Sequence, residues 1–265
     1  MIYLNIDPIA ISIGHFMVRW YGIFIGLAVA VGMWLTVREA KRKGINQDHI
    51  QNAALWVLPA GIVGARLLHV IDDWPNHAAN PWTIVGTDGL AIFGALIGGL
   101  LALVAYTRAH RVSLWLFADT VAPGLPLAQA IGRIGCFING CNFGWQTDGT
   151  WGVVWTSPKA MAPQNVPLQP AQLYELFWDA LVFGILWKMR TRVQADGVLF
   201  VTYGALYSVG RFFISFLRSD NLYFAELRQA QILALATIAL AIPLALWLNR
   251  RAVAASARLA GAKNP

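Results

Sequence analysis

Seven long apolar segments, separated by gaps that alternate in lysine and arginine content, constrain the fold of this chain most strongly. Each segment has about the 20 residues that an α-helix needs to cross a hydrocarbon core. The segments run over residues 17–37, 53–72, 88–107, 114–135, 172–189, 197–217 and 229–249. Basic clusters follow the first, third, fifth and seventh segments: Arg38 to Lys43, Arg108 to Arg111, Lys188 to Arg192, and Arg250 to Lys263.

The other gaps are poor in positive charge, and this asymmetry predicts the orientation of the chain. Residues 72–81 contain no Lys or Arg, and residues 138–171 contain only Lys159. Because cytoplasmic loops are enriched in Lys and Arg, we expect the basic clusters in the cytoplasm. We predict an all-α integral membrane protein, one membrane domain over residues 1–265 with seven transmembrane helices and its N-terminus outside. We expect an extracytoplasmic cap over about 138–171, between spans four and five, with an ordinary ordered outer loop as the alternative. Residues 250–265 are expected to form a cytoplasmic tail.

The composition supports a membrane protein and argues against a nucleic-acid partner. Hydrophobic residues make up 57% of the chain and charged residues 12%, whereas a soluble domain carries about 25% charged residues. The net charge of +7 is explained by the cytoplasmic clusters and by their attraction to anionic lipid headgroups. Membrane lipids are therefore expected partners, and nucleic acid is not.

Three arginines lie inside the predicted spans, where topology does not explain them. An arginine at the centre of a transmembrane helix costs at least about 2.5–3.5 kcal/mol and usually serves a function. From the direction of each span, Arg66, Arg133 and Arg211 all fall in the outer half of the membrane. Each has a structural alternative, namely an ion pair or a side chain that reaches the outer headgroups. Their common depth favours an anionic site in the outer leaflet, because a guanidinium fork suits phosphate.

Four further basic residues lie towards the outer face. Arg218 is seven residues after Arg211, so the two share one helix face. Arg19, Lys159 and Arg228 sit in or beside outer loops, and we expect solvated or headgroup-facing side chains there.

The segment GRIGCFINGCNFG, from Gly132 to Gly144, combines glycines with polar side chains where the fourth span should leave the membrane. Glycine lets backbone N–H groups approach a ligand closely. Non-helical backbone at this depth is tolerated where it lines a cavity or is covered by protein. The segment therefore predicts the wall of a pocket for an anionic headgroup.

This segment resembles the signature of the prolipoprotein diacylglyceryl transferase family, and the resemblance covers nearly the whole chain. Other matching motifs occur in the same order: Trp20-Tyr21-Gly22, Gly64 to Arg66, Asp88 to Gly98, Pro170 to Glu175, and Gly210 to Arg218. The resemblance implies a multi-pass enzyme of the bacterial plasma (inner) membrane, with its active site facing the outer leaflet. Such an enzyme transfers the diacylglyceryl group of phosphatidylglycerol to the lipobox cysteine thiol of a prolipoprotein.

The implied reaction forms a thioether, releases glycerol phosphate and begins lipoprotein maturation. Its partners are phosphatidylglycerol and prolipoprotein lipobox peptides, and it needs no metal or cofactor. We expect Arg133 and Arg211 to stabilise the leaving phosphate. The thiol, with a pKa of about 8.5, needs help to ionise. Many members have a histidine where Phe93 stands, so His69 and Tyr21 are the candidate bases. The alternatives are an interfacial histidine and an aromatic-belt tyrosine.

The resemblance also implies a set of substrate-binding residues: Arg133, Asn139, Gly144, Arg66, Gln172, Tyr174, Glu175 and Arg218. Where many members carry an acid, this chain has Ser215, so the counter-charge of Arg211 is expected to be Glu175 or the substrate phosphate. Many members carry Asn and Glu at the positions of Cys136 and Cys141. The two cysteines are interpreted as a disulfide or as free packing residues, since two thiols alone make a poor metal site.

Two other functions are alternatives to the transferase. An anion transporter would need charges along a whole route across the membrane, and the unexplained charges lie only in the outer half. A catalytically altered, lipid-binding relative stays open because of the substitutions at Phe93, Cys136, Cys141 and Ser215. Asp119, in the inner half of the fourth span, is expected to make a polar contact between helices.

Overall fold

The protein is mostly helical in a computed structural model that describes residues 1–86, 89, 91–193, 195–219, 222–224 and 227–261. The helices are α1 (Trp20–Lys43), α2 (Gln47–Asp72), α3 (Trp74–Ala79), α4 (Ile92–Ala109), α5 (Leu114–Val121), α6 (Gly124–Asn139), α7 (Ala171–Met189), α8 (Val198–Ser215) and α9 (Gln229–Gly261). The strands are β1 (Ile2–Leu4), β2 (Ile9–Ile13), β3 (Phe16–Arg19), β4 (Val153–Trp155), β5 (Pro167–Leu168), β6 (Leu222–Phe224) and β7 (Leu227–Arg228).

Within these described residues, five helices are long and apolar enough to cross a membrane: α1, α2, α4, α8 and α9. The pair α5 and α6, bent by 40° at a short break, makes a sixth. The chain is therefore a multi-pass membrane protein, whereas the predicted count of seven spans and their orientation stay predictions. The predicted bounds differ from the helices at several ends. Helix α2 begins at Gln47, α9 continues to Gly261, and the predicted start of span three at Asp88 lies outside the described residues.

The break between α5 and α6 falls at Pro123, which has no N–H to continue the helical ladder. Just before the break, the buried Asp119 accepts a hydrogen bond from the backbone N–H of Phe200, at 2.8 Å. Phe200 lies in the first turn of α8, where unpaired N–H groups favour a negative charge. The predicted polar contact of Asp119 between helices is confirmed.

The chain forms two compact units, residues 1–36 with 118–265 and residues 37–117. In the first unit, α6 packs on α7, α7 on α8 and α8 on α9. A side chain at Gly210 of α8 would collide with the indole of Trp178 on α7, so this glycine sets how closely the two helices approach. The Trp178 indole N–H also donates to the carbonyl of Leu206, at 2.9 Å. These contacts position α7 and α8, which carry most of the candidate site.

Three small sheets accompany the helices of the described chain, and the expectation of an all-α protein missed them. Strand β1 pairs in parallel with β4, and β4 pairs with β5 in antiparallel fashion. Val153, Trp155, Ala162 and Leu168 form a buried cluster there, so the segment predicted as a cap is an ordered structure with its own core. Strands β2 and β3 form a hairpin whose side chains, including Phe16, are largely exposed.

In the second unit, α2 and α4 approach each other through glycines. A side chain at Gly64 would collide with the carbonyl oxygen of Gly94, and one at Gly98 with that of Ala60. Small residues at such a crossing let two backbones pack closely, which drives helix association where no water is present. This contact fixes the end of α2 that carries Arg66 and His69.

Candidate active site

Glu175 of α7 lies at the centre of a cluster of three arginines. Its carboxylate forms ion pairs with Arg133 of α6, with Arg211 of α8, and with Arg218, whose Nη1 lies 3.3 Å away. Glu175 and Arg218 are both buried. The prediction that Glu175 balances Arg211 is confirmed. The prediction that Arg211 and Arg218 share one helix face is wrong, because α8 ends at Ser215 and Arg218 forms a β-bridge with Gly144. We call Glu175 and the three arginines the arginine cluster.

The charges of the arginine cluster favour an anionic ligand. Removing charged groups from water is costly, and close pairing with good geometry offsets that cost. The four residues of the arginine cluster carry three positive charges and one negative charge. A phosphate that entered this cluster would add negative charge and would accept hydrogen bonds from the forked guanidinium groups.

The polar face of α7 extends beyond Glu175. Gln172, Glu175 and Asp179 are all buried on this helix. Gln172 donates from Nε2 to the carbonyl of Cys141, at 2.7 Å, and its Oε1 has no hydrogen-bond partner although the residue is fully buried. A buried acceptor without a donor costs about 1–3 kcal/mol. Such an atom is available to accept a hydrogen bond from a ligand.

The glycine-rich segment leaves α6 and turns towards Arg218. Gly140, just past the helix end, has a φ of 73°, which favours glycine and ends the helix. Asn142 also has a positive φ, 59°, and its Oδ1 accepts a hydrogen bond from Nη2 of Arg218 at 3.0 Å. Asn142 lies inside the segment from Gly132 to Gly144 but was not among the predicted site residues.

Gly144 brings the backbone of this segment against the end of α8. The residue forms a β-bridge with Arg218 and donates to the carbonyl of Gln169, at 2.8 Å. A side chain at this position would collide with the carbonyl oxygen of Leu217. The hydroxyl of Tyr174 donates to Oε1 of Gln169 at 2.8 Å. Gly144 and Tyr174 therefore shape the backbone around the arginine cluster.

Asn139, the last residue of α6, contacts two neighbouring segments. Its Oδ1 accepts a hydrogen bond from the exposed Arg19, at 3.0 Å, and its Nδ2 lies 3.1 Å from the sulfur of Met161. Asn139 is thus buried between the N-terminal hairpin and the ordered segment that follows α6. The contact of Arg19 with a predicted site residue was not foreseen.

Lys159 and Arg228, the other two basic residues predicted near the outer face, differ in their exposure. The ammonium group of Lys159 is half exposed and pairs with Asp7 at 2.7 Å. This bond, together with the N–H of Ile9, holds the pKa of Asp7 below its ordinary value of 3.8. Arg228, in contrast, is buried, and its guanidinium lies over the ring of Trp145. The expectation of a solvated Arg228 is wrong, because packing against an aromatic face replaces its contact with water.

Tyr21 and the two cysteines lie around the C-terminal part of α6. Gly135 lets α1 approach, since a side chain there would lie 3.1 Å from Cα of Tyr21. Cys136 and Cys141 are free thiols, and Cys141 donates to the carbonyl of Cys136 at 3.6 Å. Of the two interpretations of this pair, the structure shows free, packed cysteines.

Arg66 and His69 belong to the second unit. The guanidinium of Arg66 donates to the carbonyls of Thr83, Ile84 at 3.0 Å and Gly89 at 3.1 Å. The ring of His69 packs against Gly89, where any side chain would collide with it. The roles predicted for Arg66 in substrate binding and for His69 in catalysis stay predictions.

A small cleft beside the arginine cluster contains residues that the sequence analysis did not assign to the site. It is lined by Glu175, Trp178, Asp179, Tyr207, Arg211 and Ile214. Tyr207 lies one helical turn before Arg211, and this i, i+4 spacing was a signal available in the sequence.

Comparison with known proteins identifies the family of this chain. A family model described as prolipoprotein diacylglyceryl transferase matches residues 8–247. The chain belongs to this family. Similar curated proteins carry the name phosphatidylglycerol–prolipoprotein diacylglyceryl transferase. One from Dehalococcoides mccartyi is 38% identical over 252 residues, which cover 95% of this chain and 97% of the relative.

Two further members of the prolipoprotein diacylglyceryl transferase family have the same printed name. The protein from Clostridioides difficile is 39% identical over 231 residues, covering 86% of this chain and 90% of the relative. The protein from a Nostoc species is 37% identical over 261 residues, covering 94% and 92%. These matches span both units, including the arginine cluster and Arg66.

Proposed function

We propose that this chain transfers the diacylglyceryl group of phosphatidylglycerol to the lipobox cysteine thiol of a prolipoprotein. The names of its relatives support the two substrates and the transferase activity. The observation that carries the proposal is the arginine cluster, in which three guanidinium groups share one buried carboxylate. A lipid with an anionic phosphate fits this charge, and a transferase of this kind must hold one.

The reaction is a displacement at a glycerol carbon. The sulfur of the peptide cysteine forms a bond to that carbon while the carbon–oxygen bond to phosphate breaks. The electron pair of the broken bond leaves with glycerol phosphate, so negative charge grows on the phosphate. Arg133 and Arg211 stabilise this charge, and removing one such group typically costs about 10²–10³-fold in rate. Arg218 and Glu175 hold the two arginines in place.

The thiol proton must pass to an acceptor as the sulfur attacks. Tyr21 and His69 are the acceptors that we propose, with Tyr21 on α1 where that helix meets Gly135 of the glycine-rich segment. The orphan Oε1 of Gln172 accepts a hydrogen bond from a hydroxyl of the glycerol headgroup. The peptide reaches the lipid along a wall that is formed by Asn139, Gly144, Tyr174 and the ordered segment around β4.

We also propose the predicted topology of seven spans, with the site facing the outer leaflet of the plasma membrane. Helix α7 would be the seventh span, and it has the 19 residues that a crossing needs. It is less apolar than the others because Gln172, Glu175 and Asp179 face the site. A polar face directed into protein is the arrangement tolerated for such residues in a membrane. The alternating basic clusters support the orientation.

The test is an assay with purified protein in vesicles, a synthetic lipobox peptide and either phosphatidylglycerol or phosphatidylcholine. We expect a diacylglyceryl adduct on the peptide cysteine, detected by mass spectrometry, with phosphatidylglycerol only. A peptide with Ser in place of its cysteine should give no adduct. Arg133→Ala and Arg211→Ala should lose at least about 10²-fold in rate, whereas Arg108→Ala, outside the proposed site, should keep the wild-type rate.

Two other results of this assay would point to the alternative functions. If the wild-type protein binds phosphatidylglycerol vesicles through the arginine cluster but forms no adduct, it is a lipid-binding relative that has lost its chemistry. If solute crosses sealed vesicles instead, the transporter interpretation replaces the transferase.

A further inference from the structure

His69, Asp73 and His77 form a second cluster of chemically active side chains, in the second unit. They are spaced four residues apart, at the end of α2, at the junction and in α3. Each offers one potential metal-ligand atom, and these three atoms all lie within 4.8 Å of one another. The two imidazole rings meet edge to face, with centroids 5.6 Å apart. We call these three residues the histidine cluster.

His77 is buried with one ring nitrogen unused. Its Nδ1 lies 2.7 Å from Oγ1 of Thr83, and its Nε2 has no hydrogen-bond partner although only 5% of the residue is exposed. A buried nitrogen without a partner is costly and calls for a ligand. Nothing in the proposed transfer reaction uses His77.

The hydrogen bonds of Thr83 decide which nitrogen of His77 carries the proton. The single hydroxyl hydrogen of Thr83 is donated to the carbonyl of Asn80, at 2.6 Å. The hydroxyl oxygen must therefore accept from His77, which places the ring proton on Nδ1. Nε2 then carries a free lone pair. Metal-binding histidines have this arrangement, in which the other nitrogen donates to a neighbour and fixes the ring.

The other two side chains are also held in position. The backbone of Gly89, at a φ of 81°, packs against the His69 ring. The N–H of Asp73 donates to the carbonyl of His69 at 3.0 Å, and its Oδ1 accepts from Asn76 at 2.7 Å. A carboxylate has two oxygens, so Asp73 retains a second one for a ligand.

We propose that the histidine cluster is a binding site for one divalent transition-metal ion of the zinc class. Two imidazole nitrogens and one carboxylate oxygen are a common donor set for zinc, which takes a fourth ligand from water. With zinc–nitrogen distances of about 2.0–2.1 Å, the donors must lie about 3.3 Å apart. The three potential ligand atoms already lie within 4.8 Å of one another, so a bound ion would draw them closer by about 1.5 Å at most.

The bound ion would brace the second unit near Arg66. It would tie the end of α2 to α3 through His69 and His77. Thr83, the partner of His77, also accepts a hydrogen bond from Arg66 through its carbonyl. The ion and the arginine would thus hold the same short segment. This is a structural role: with His69 bound to the ion, Tyr21 is the proton acceptor that remains for the proposed transfer reaction.

The test measures metal binding by the full-length protein, purified with a tag that lacks histidines. After treatment with chelator, loading with zinc and removal of excess ion, elemental analysis should give about one zinc per chain. His77→Ala and Asp73→Ala should bind at least about tenfold more weakly, and Thr83→Val should lose about 10–100-fold in affinity because it no longer orients the ring. His15→Ala removes an exposed histidine of the N-terminal hairpin and should bind as the wild type does.

A second measurement, on the wild type alone, guards against variants that do not fold. Cobalt in place of zinc should give the visible absorption of a tetrahedral ion with nitrogen and oxygen ligands, and added zinc should remove that absorption. Less than a tenth of an equivalent of zinc on the wild type, no cobalt spectrum, or equal binding by wild type and His77→Ala would each overturn the proposal. None of these outcomes depends on transferase activity.

Discussion

The arginine cluster and Arg66 show two ways in which a membrane protein accommodates an arginine within an apolar helix. Arg133 and Arg211 bind a carboxylate that they share with Arg218. Arg66 instead binds the carbonyls of Thr83, Ile84 and Gly89. Carbonyl groups are neutral dipoles, so these three hydrogen bonds anchor a backbone segment. The arginine cluster gathers three guanidinium groups around one carboxylate, whereas Arg66 holds the chain.

Each region also contains a buried polar atom without a partner. In the first unit it is Oε1 of Gln172, an acceptor beside Glu175, and in the second it is Nε2 of His77. The oxygen suits a hydroxyl of a lipid headgroup, and the nitrogen lone pair suits a metal ion. Arginines that are predicted at similar depths in the membrane therefore serve different roles, and their immediate partners distinguish those roles.

Removing the shared carboxylate should have the largest effect. Glu175→Gln removes a buried carboxylate and leaves three arginines without their common partner. We expect this to cost about 3–5 kcal/mol of stability and to abolish detectable transfer. The thermal midpoint in detergent and the adduct assay measure the two effects. Glu39→Gln is the control, because it removes a buried carboxylate that pairs with Arg42. An equal loss of stability in both variants would contradict a special role for Glu175.

Lysine substitutions separate the two kinds of arginine. Arg211→Lys keeps the charge but loses the fork, and we expect kcat/KM to fall about 10²-fold with a smaller loss of stability. Arg66→Lys should lower the thermal midpoint, because three carbonyls lose aligned donors, while kcat/KM of the folded enzyme stays near the wild-type value. If Arg66→Lys instead loses as much kcat/KM as Arg211→Lys, Arg66 binds substrate as its sequence position predicted.

Much of the arginine cluster could be predicted from the sequence, because it rests on local spacing. The polar face of α7 is a property of a single helix. Arg218 lies beyond the end of α8, but its closeness in sequence to Arg211 places it near the same carboxylate. Because Ser215 stands where many family members carry an acid, Glu175 became a candidate counter-charge for Arg211. Asp119 was likewise recognisable as a polar residue within an apolar span.

The strands and the surroundings of Arg66 could not be predicted, for a physical reason. Strand β1 pairs with β4 across about 150 residues of chain, and such pairing leaves no local periodicity. Short strands of two or three residues carry too few positions to show alternation. Arg228 packs against Trp145, which is also remote in sequence. The histidine cluster does leave a local signal in the sequence, a repeat of every four residues over His69, Asp73 and His77.

Alanine substitutions at two glycines test the difference between the arginine cluster and the histidine cluster, with smaller expected effects. Gly144→Ala places a methyl group against the carbonyl of Leu217, and Gly89→Ala places one against the ring of His69. We expect each to cost about 1–3 kcal/mol of stability. Gly144→Ala should also lower transferase activity by displacing Arg218, whereas Gly89→Ala should weaken zinc binding and leave activity per folded molecule intact. Thermal midpoints, the adduct assay and elemental analysis distinguish the two patterns.

The smallest expected effect belongs to the orphan oxygen of Gln172. Gln172→Met keeps the length of the side chain, removes the unpaired acceptor and loses one hydrogen bond to Cys141, so stability should change by no more than about 1 kcal/mol. If Oε1 accepts a hydrogen bond from the headgroup, KM for phosphatidylglycerol should rise about 3–10-fold, as expected for one hydrogen bond of about 0.5–1.5 kcal/mol. The peptide KM should not move. The same measurement on His77→Ala provides the contrast, because a nitrogen that serves a metal ion should alter zinc content and leave the lipid KM unchanged. A rise in lipid KM in His77→Ala, or none in Gln172→Met, would show that the two orphan atoms have been assigned to the wrong ligands.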